Sequence, residues 1–282
     1  MLTRRNWIYR AASLIAGLAY WALAGIPAAY ADTPKLMTDD MTWVEVQSAV
    51  RSGKTTVIVP VGGSEQTGPH VVLGKHNIRV KALAVKIAET LGNTLVAPVV
   101  AYVPEGNISP PTGHMRFAGT ISVSNEAFMG ILEGAANSFK QHGMTDIVFI
   151  GDHGGYQTQL ATVAAQLNRI WAKEARGNKG VTRAHFVAAY YQATQTSYLQ
   201  ALRAKGLSDM QIGLHGGVAD TSLLMALDPT AVHPAQFDTA ASAGPSAGTQ
   251  GDPRLASAEL GNLGVNLIVT QTVAALKLVL KR

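Results

Sequence analysis

Not one of the 282 residues is a cysteine. That excludes a disulfide-stapled scaffold, a zinc finger, a thiolate metal site and a cysteine nucleophile. Charged residues are also scarce, at 15% against the ~25% usual for globular chains. With so few groups to solvate a surface, burial of part of it in a homo-oligomer is favoured. No G-x-S-x-G elbow accompanies a strand, so a serine hydrolase has no support. Disorder is excluded as well, because 47% hydrophobic content at a net charge of +5 is ample for a core.

The longest uncharged stretch stands at the start. Arg4, Arg5 and Arg10 precede an uncharged run from Ala11 to Ala31, which ends in Ala29-Tyr30-Ala31 and is followed by Asp32. A charged start, an apolar middle and a small-residue exit form the pattern of a signal peptide. Residues 1–31 are therefore expected to be a leader, cleaved after Ala31, that sends the protein to the periplasm or outside the cell. Thr3-Arg4-Arg5-Asn6-Trp7-Ile8 resembles a twin-arginine signal. Pro27 and the many Ala and Gly weaken the run as a bilayer span, so no stable membrane anchor is expected after cleavage. The leader holds three Arg and no acid, which lowers the mature charge to +2 (5 minus 3). No basic stripe remains to neutralise a phosphate backbone, and nucleic acid is not expected as a partner.

Residues 32–282 read as a single domain of alternating strands and helices. Strands are expected at Thr55–Val61, Leu95–Val100, Asp146–Ile150 and His185–Ala189, each a short apolar run. Helices are expected near Met41–Ser52, Ile78–Leu91, Ser124–His142, Tyr156–Ala175, Val218–Leu227 and Ser257–Leu280. The stretch Ala240–Gly251, rich in small residues, reads as a surface loop. Such alternation implies an α/β fold, with a mostly parallel sheet and helices on both faces. Ligands of open α/β sheets bind beyond the carboxyl ends of the strands, which directs attention to the loops after Val61, Val100, Ile150 and Ala189.

Gly-flanked polar residues do gather there: Gly62 to His70 and Gly74 to Asn77, then Gly151 to Gly155, and further on Leu214 to Ser222. Glycine beside a carboxylate or imidazole lets the backbone turn sharply and brings that side chain close to a bound atom. Three such loops at one end of a sheet can build a metal centre of nitrogen and oxygen ligands.

The segment VPVGGSEQTGPHVVLG (Val59 to Gly74) resembles the P-x-G-x-x-E-Q-H-G-P-H-L-P-L-x-T-D signature of the creatininase family. GDHGG (Gly151 to Gly155) is similar to that family's N-G-H-G-G-N, and HGGVADTSLLMALDP (His215 to Pro229) to its H-x-G-x-x-E-T-S segment. FAGTIS (Phe117 to Ser122) and GDPRLASAE (Gly251 to Glu259) follow in the family's order. The resemblance implies a three-layer α/β/α sandwich, commonly a hexamer, and metal-dependent hydrolysis of a small amide or cyclic amide. Zn²⁺ or Mn²⁺ would activate water and polarise the carbonyl.

By that resemblance Glu65 and His153 fall on family metal ligands, and Asp220 on the acid of E-T-S. Thr67 replaces a family His, and His76 the family's metal-bridging Asp. A neutral imidazole has one lone pair for metal where a bridge needs two donors. One ion per chain, held by Glu65, His76, His153 and Asp220, is therefore expected. His215 matches a family residue beside the substrate and is expected to act as general acid to the leaving nitrogen. Leu214 and Gln211 depart from the creatininase enzyme's own pattern, which argues against creatinine as substrate. His70 and Asp152 are read as orienting neighbours, and His114 either lines the pocket or faces solvent. Tyr190, Tyr191 and Gln192 follow a strand end, where substrate can be touched; His142, His185 and His233 are read as structural. Two alternatives remain beside the hydrolase: a degenerate relative that binds a small ligand or metal without turnover, and a structural role in the envelope.

Overall fold

The computed structural model describes residues 35–175 and 182–280; the expected leader lies outside them. Four strands form the sheet: β1 (Thr56–Val61), β2 (Thr94–Val96), β3 (Asp146–Gly151) and β4 (Arg183–Phe186). Their order is β2-β1-β3-β4 and every pairing is parallel, with Val57 opposite both Leu95 and Ile147. The helices are α1 (Trp43–Arg51), α2 (Lys75–Leu91), α3 (Asn125–Gln141), α4 (Gln157–Ala175), α5 (Ala189–Gln195), α6 (Ser197–Ala204), α7 (Asp209–Ile212), α8 (Val218–Leu227), α9 (Phe237–Ala243) and α10 (Ala258–Val279).

Side-chain alternation along the strands produces two apolar layers. Val57, Val59, Val61, Ile147 and Phe149 point to one face, covered by α1, α3 and α4. Ile58, Val148 and Ile150 point to the other, covered by α2, α5, α6, α8 and α10. The architecture is a three-layer α/β/α sandwich, built on a sheet buried on both sides.

Local chemistry sets most of the helix ends. Thr42 and Glu45 close a capping box at α1, the Thr42 hydroxyl accepting from the Glu45 N–H at 3.3 Å and the Glu45 carboxylate from the Thr42 N–H at 2.6 Å. The Ser124 hydroxyl caps α3 by accepting from the Ala127 N–H, and that helix stops before Gly143 at φ 94°. The Ser257 hydroxyl caps α10 in the same way, accepting from the Leu260 N–H. By length and composition α10 could cross a membrane. In the fold it lies against α8, α5 and α2 and buries Val265, Ile268, Val273 and Leu276.

Several expected boundaries move. β2 ends at Val96, and the chain returns to β1 through a bridge between Val61 and Val100. β4 stops at Phe186, and Ala189 begins α5. The small-residue stretch expected as a loop is partly helical, as α9 and a 3₁₀ turn at Gly244–Ala247. The start of α2 at Lys75, three residues before the expected Ile78, has chemical consequences, because it places Lys75, His76 and Arg79 on its first turns.

The connection from β1 to β2 runs through α2 on one face, while β2–β3 and β3–β4 run through α3 and α4 on the other. The winding reverses between β1 and β3. In open α/β sheets that reversal opens a crevice at the strands' carboxyl ends, which here means the loops after Val61 and Gly151.

Candidate active site

The loop after β1 carries Glu65 into the crevice and fixes it through the backbone. The Glu65 N–H donates to the Leu73 carbonyl at 3.1 Å, and the Gln66 N–H to the Thr120 hydroxyl at 3.2 Å. Two residues earlier, Gly63 has φ 148° and leaves room for a neighbouring side chain. A Cβ there would stand 2.7 Å from Oε1 of Glu105. Glu105 enters from the loop after β2, His114 from a 3₁₀ turn at Gly113–Arg116, and His153 from the loop after β3.

Glu65, Glu105, His114 and His153 converge. One ligand atom from each lies within 4.8 Å of all the others. Oε2 of Glu65 is 3.2 Å from Nε2 of His114 and 3.5 Å from Nε2 of His153, while Oε2 of Glu105 is 3.6 Å from Nδ1 of His153. Three buried oxygens in this group, Oε2 of Glu65 and both of Glu105, have no hydrogen-bond partner. Buried carboxylate oxygens without donors are costly, and a divalent cation would satisfy all three. A set of two carboxylates and two imidazoles suits Zn²⁺ or Mn²⁺. The residues present fit such an ion.

Electrostatics divides the two acids. Burial would raise Glu65, but Lys75, His76 and His153 outweigh it and hold its carboxyl well below the ordinary range. Glu105 is pushed up to about 8, first by burial and then by the charge on Glu65. Burial lowers His153 to about 3 and His215 to about 4, so both imidazoles are neutral near pH 7.

His76 and Asp220, expected as ligands, stand outside this group. His76 faces a carboxylate at each nitrogen: Oε1 of Glu65 at 2.6 Å from Nε2, and Oδ2 of Asp152 at 2.6 Å from Nδ1. Although burial and Lys75 oppose its charge, those acids raise its pKa, and an imidazolium has no lone pair for metal. Asp220 is engaged at both oxygens, by Arg79 at 2.7 Å and by Lys75 at 3.4 Å, with the Gly216 N–H donating at 3.1 Å. Asp152 holds Tyr190, whose hydroxyl donates at 2.7 Å, and lies 3.2 Å from Nε of Arg79.

His215 borders the same space, with its Nδ1 3.9 Å from Oε1 of Glu65. Its Nε2 lies 2.7 Å from the Gln66 carbonyl, which can only accept, so Nε2 carries the proton and Nδ1 keeps the lone pair. Tyr191 and His114 line a cavity of about 650 Å³ together with these residues; Tyr190 is buried beneath it, and Gln192 is not part of the lining. His185 pairs with Asp146 at 2.9 Å, away from the site.

Sequence reasoning passed over Glu105, Lys75 and Arg79. Glu105 had a usable signal: it precedes Gly106 in a loop beyond a strand, the same pattern that singled out Glu65 and His153. Lys75 and Arg79 had none, since a basic residue early in a helix ordinarily faces solvent.

A profile of the creatininase family, described as creatinine amidohydrolase, matches residues 39–276. The chain is similar to the creatinine amidohydrolase of Pseudomonas putida, at 26% identity over 256 residues covering 84% of this chain and 95% of that one. Over 116 residues it is 34% identical to the mycofactocin precursor peptide peptidase of Mycolicibacterium smegmatis, covering 39% and 44% of the two chains. A crystal structure of creatinine amidohydrolase superposes with a TM-score of 0.72 at 21% identity, covering 89% of this chain and all of that one. A structure described as creatininase Mn gives a TM-score of 0.71 at 22% identity, over 88% of this chain. At these identities the superpositions show a shared fold.

Proposed function

The chain belongs to the creatininase family, and from that premise we propose that it is an exported hydrolase that cleaves a C–N bond of a small amide or cyclic amide, with one Zn²⁺ or Mn²⁺ per chain. Family membership and the four-residue group together support a metal-dependent amidohydrolase. The observation that carries the proposal is the convergence of three unpartnered buried oxygens, from Glu65 and Glu105, on His114 and His153.

Glu65, Glu105, His114 and His153 would hold the ion. When bound, it supplies Lewis acidity toward the carbonyl and an activated water. His215 provides the proton path. Its Nδ1 lone pair takes a proton from the attacking water and returns it to the leaving nitrogen, a base-then-acid cycle set by the Gln66 carbonyl at Nε2. Lys75, His76 and Arg79 keep Glu65 and Asp220 ionised, and His76 and Arg79 hold Asp152 in place. The cavity of about 650 Å³ suits a small-molecule substrate.

Metal content by mass spectrometry tests this reading, on untagged mature protein alongside Glu65→Gln and His153→Ala. One ion per chain, lost in both variants, with turnover of at least one member of an amide panel, is the expected result. No ion after incubation with Zn²⁺ and Mn²⁺ would overturn it. Binding without turnover is favoured by Thr67, whose buried hydroxyl has no partner and offers no imidazole to the site; an ion and a bound amide that is never cleaved would select it. Export with cleavage after Ala31 and assembly as a homo-oligomer, a hexamer by family resemblance, belong to the same proposal. Intact and native mass spectrometry of the secreted protein check both.

A further inference from the structure

The two carboxylate oxygens of Glu65 face different surroundings. Oε2 lies toward His114 and His153 without a hydrogen bond. Oε1 is taken by protein cations, His76 at 2.6 Å and the Lys75 ammonium at 3.2 Å. From there Lys75 reaches Oδ2 of Asp220 at 3.4 Å, with its side chain only 1% exposed. Two of the four ligands expected from sequence, Glu65 and Asp220, thus meet at a lysine nitrogen, and a third, His76, shares the same Glu65 oxygen.

Local helix energetics do not explain that lysine. Lys75 is the first residue of α2, where the helix dipole disfavours a cation, and no acid stands in that first turn to offset it. Burying an ammonium is costly unless charged partners surround it, and Glu65 and Asp220 supply them. A lysine head is a compact point charge with three donors, close to what two carboxylates would otherwise offer a metal ion.

We propose that the Lys75 ammonium is a resident cation occupying a second cation place, between Oε1 of Glu65 and Oδ2 of Asp220 beside His76, so that the centre accepts one divalent ion and not two. The inference rests on the metal site proposed above and concerns its stoichiometry. A second ion would have to expel an ammonium tethered to α2 and would meet its charge on approach. Lys75 is thereby a positioning residue: it touches Glu65 and Asp220, and it fixes how many ions the site takes.

Zn²⁺ titration of the mature protein, read by calorimetry and by metal content after dialysis, provides the test. Wild type is expected to take one ion per chain. Lys75→Ala and Lys75→Met are expected to take two, with the first bound about tenfold more tightly because a like charge has gone. Ethylammonium, filling the space left in Lys75→Ala, should return the count to one, and it also serves as the folding additive if that variant is unstable alone. Lys75→Arg, which keeps the charge, should stay at one. Two ions in wild type, or one ion at unchanged affinity in both neutral variants, would overturn the stoichiometric role while leaving the metal site standing. No ion in wild type would overturn both.

Discussion

Glu65 and Glu105 share one buried space and divide protonation between them. Glu65, in spite of its burial, is held ionised by Lys75 and His76, and Glu105 is pushed up to about 8 by burial and by that neighbouring charge. The sign of the stability effect follows. The folded metal-free protein keeps a proton on Glu105 that the unfolded chain releases above about 4.5, so metal-free stability falls as pH rises from about 4.5 to 8. Glu105→Gln removes that loss. In urea unfolding the metal-free variant is expected to be more stable than wild type at pH 8, by on the order of 3 kcal/mol, and to match it near pH 4. Its metal affinity should fall by about 100-fold or more, as a ligand is gone. His70 acts on the acid side. Burial pushes it down to about 4, and its Nε2 lies 3.0 Å from the Thr221 hydroxyl. As pH falls from about 6.5 to 4 the unfolded chain takes up a proton that the folded one refuses, at a cost of about 3 kcal/mol. A His70→Gln variant should show a flatter stability profile across that window; an unchanged profile would mean that His70 accepts its proton without unfolding.

Among the elements, α10 depends most on what its residues lack. A Cβ on Gly261 would stand 1.9 Å from the Ser222 carbonyl oxygen, and one on Gly264 would stand 3.0 Å from the Tyr198 ring. These glycines let α10 approach α8 and α6 closely enough to cover the sheet. Gly261→Val must separate the helices. It is expected to lower stability by about 3 kcal/mol, seen as a lower urea midpoint, and to exceed the loss from Gly130→Val, where a Cβ meets nothing within 4 Å. Such elements were largely legible. The bounds Val218–Leu227 for α8 and the Ser124 and Ser257 caps follow from spacing and cap chemistry. The start of α2 was not, because Gly74 caps it without a side chain and neither Lys75 nor His76 continues an apolar stripe. Helices α5, α6 and α9 were hidden for a related reason: Ala188, Thr196 and Gln236 give them no side-chain cap, so packing and not local sequence holds them.

At the scale of the whole molecule, the site exists because the sheet reverses its winding between β1 and β3. Alternation alone implies binding beyond the carboxyl ends of the strands, where Glu65 and His153 lie, but it does not contain the strand order that makes the reversal. Which carboxylate completes the group was not foreseeable. Glu105 stands 40 residues after Glu65 in the chain, and only the parallel pairing of β1 with β2 brings their loops together. Because the four proposed ligands come from loops after β1, β2 and β3, an ion bound there would tie those loops to one another, and its removal should be felt globally. A ligand that binds only the folded state at 100 times its Kd adds about 2.7 kcal/mol, which for a domain of this size corresponds to roughly 5–10 °C in Tm. Chelation is therefore expected to lower Tm by about that amount in wild type, and re-addition of Zn²⁺ or Mn²⁺ to restore it. Glu65→Gln, already without the ion, should not respond to chelator. His185→Gln, whose change falls on a pair with Asp146 away from the site, should respond as wild type does. A chelator shift that persists in Glu65→Gln would place the ion somewhere other than the crevice between β1 and β3.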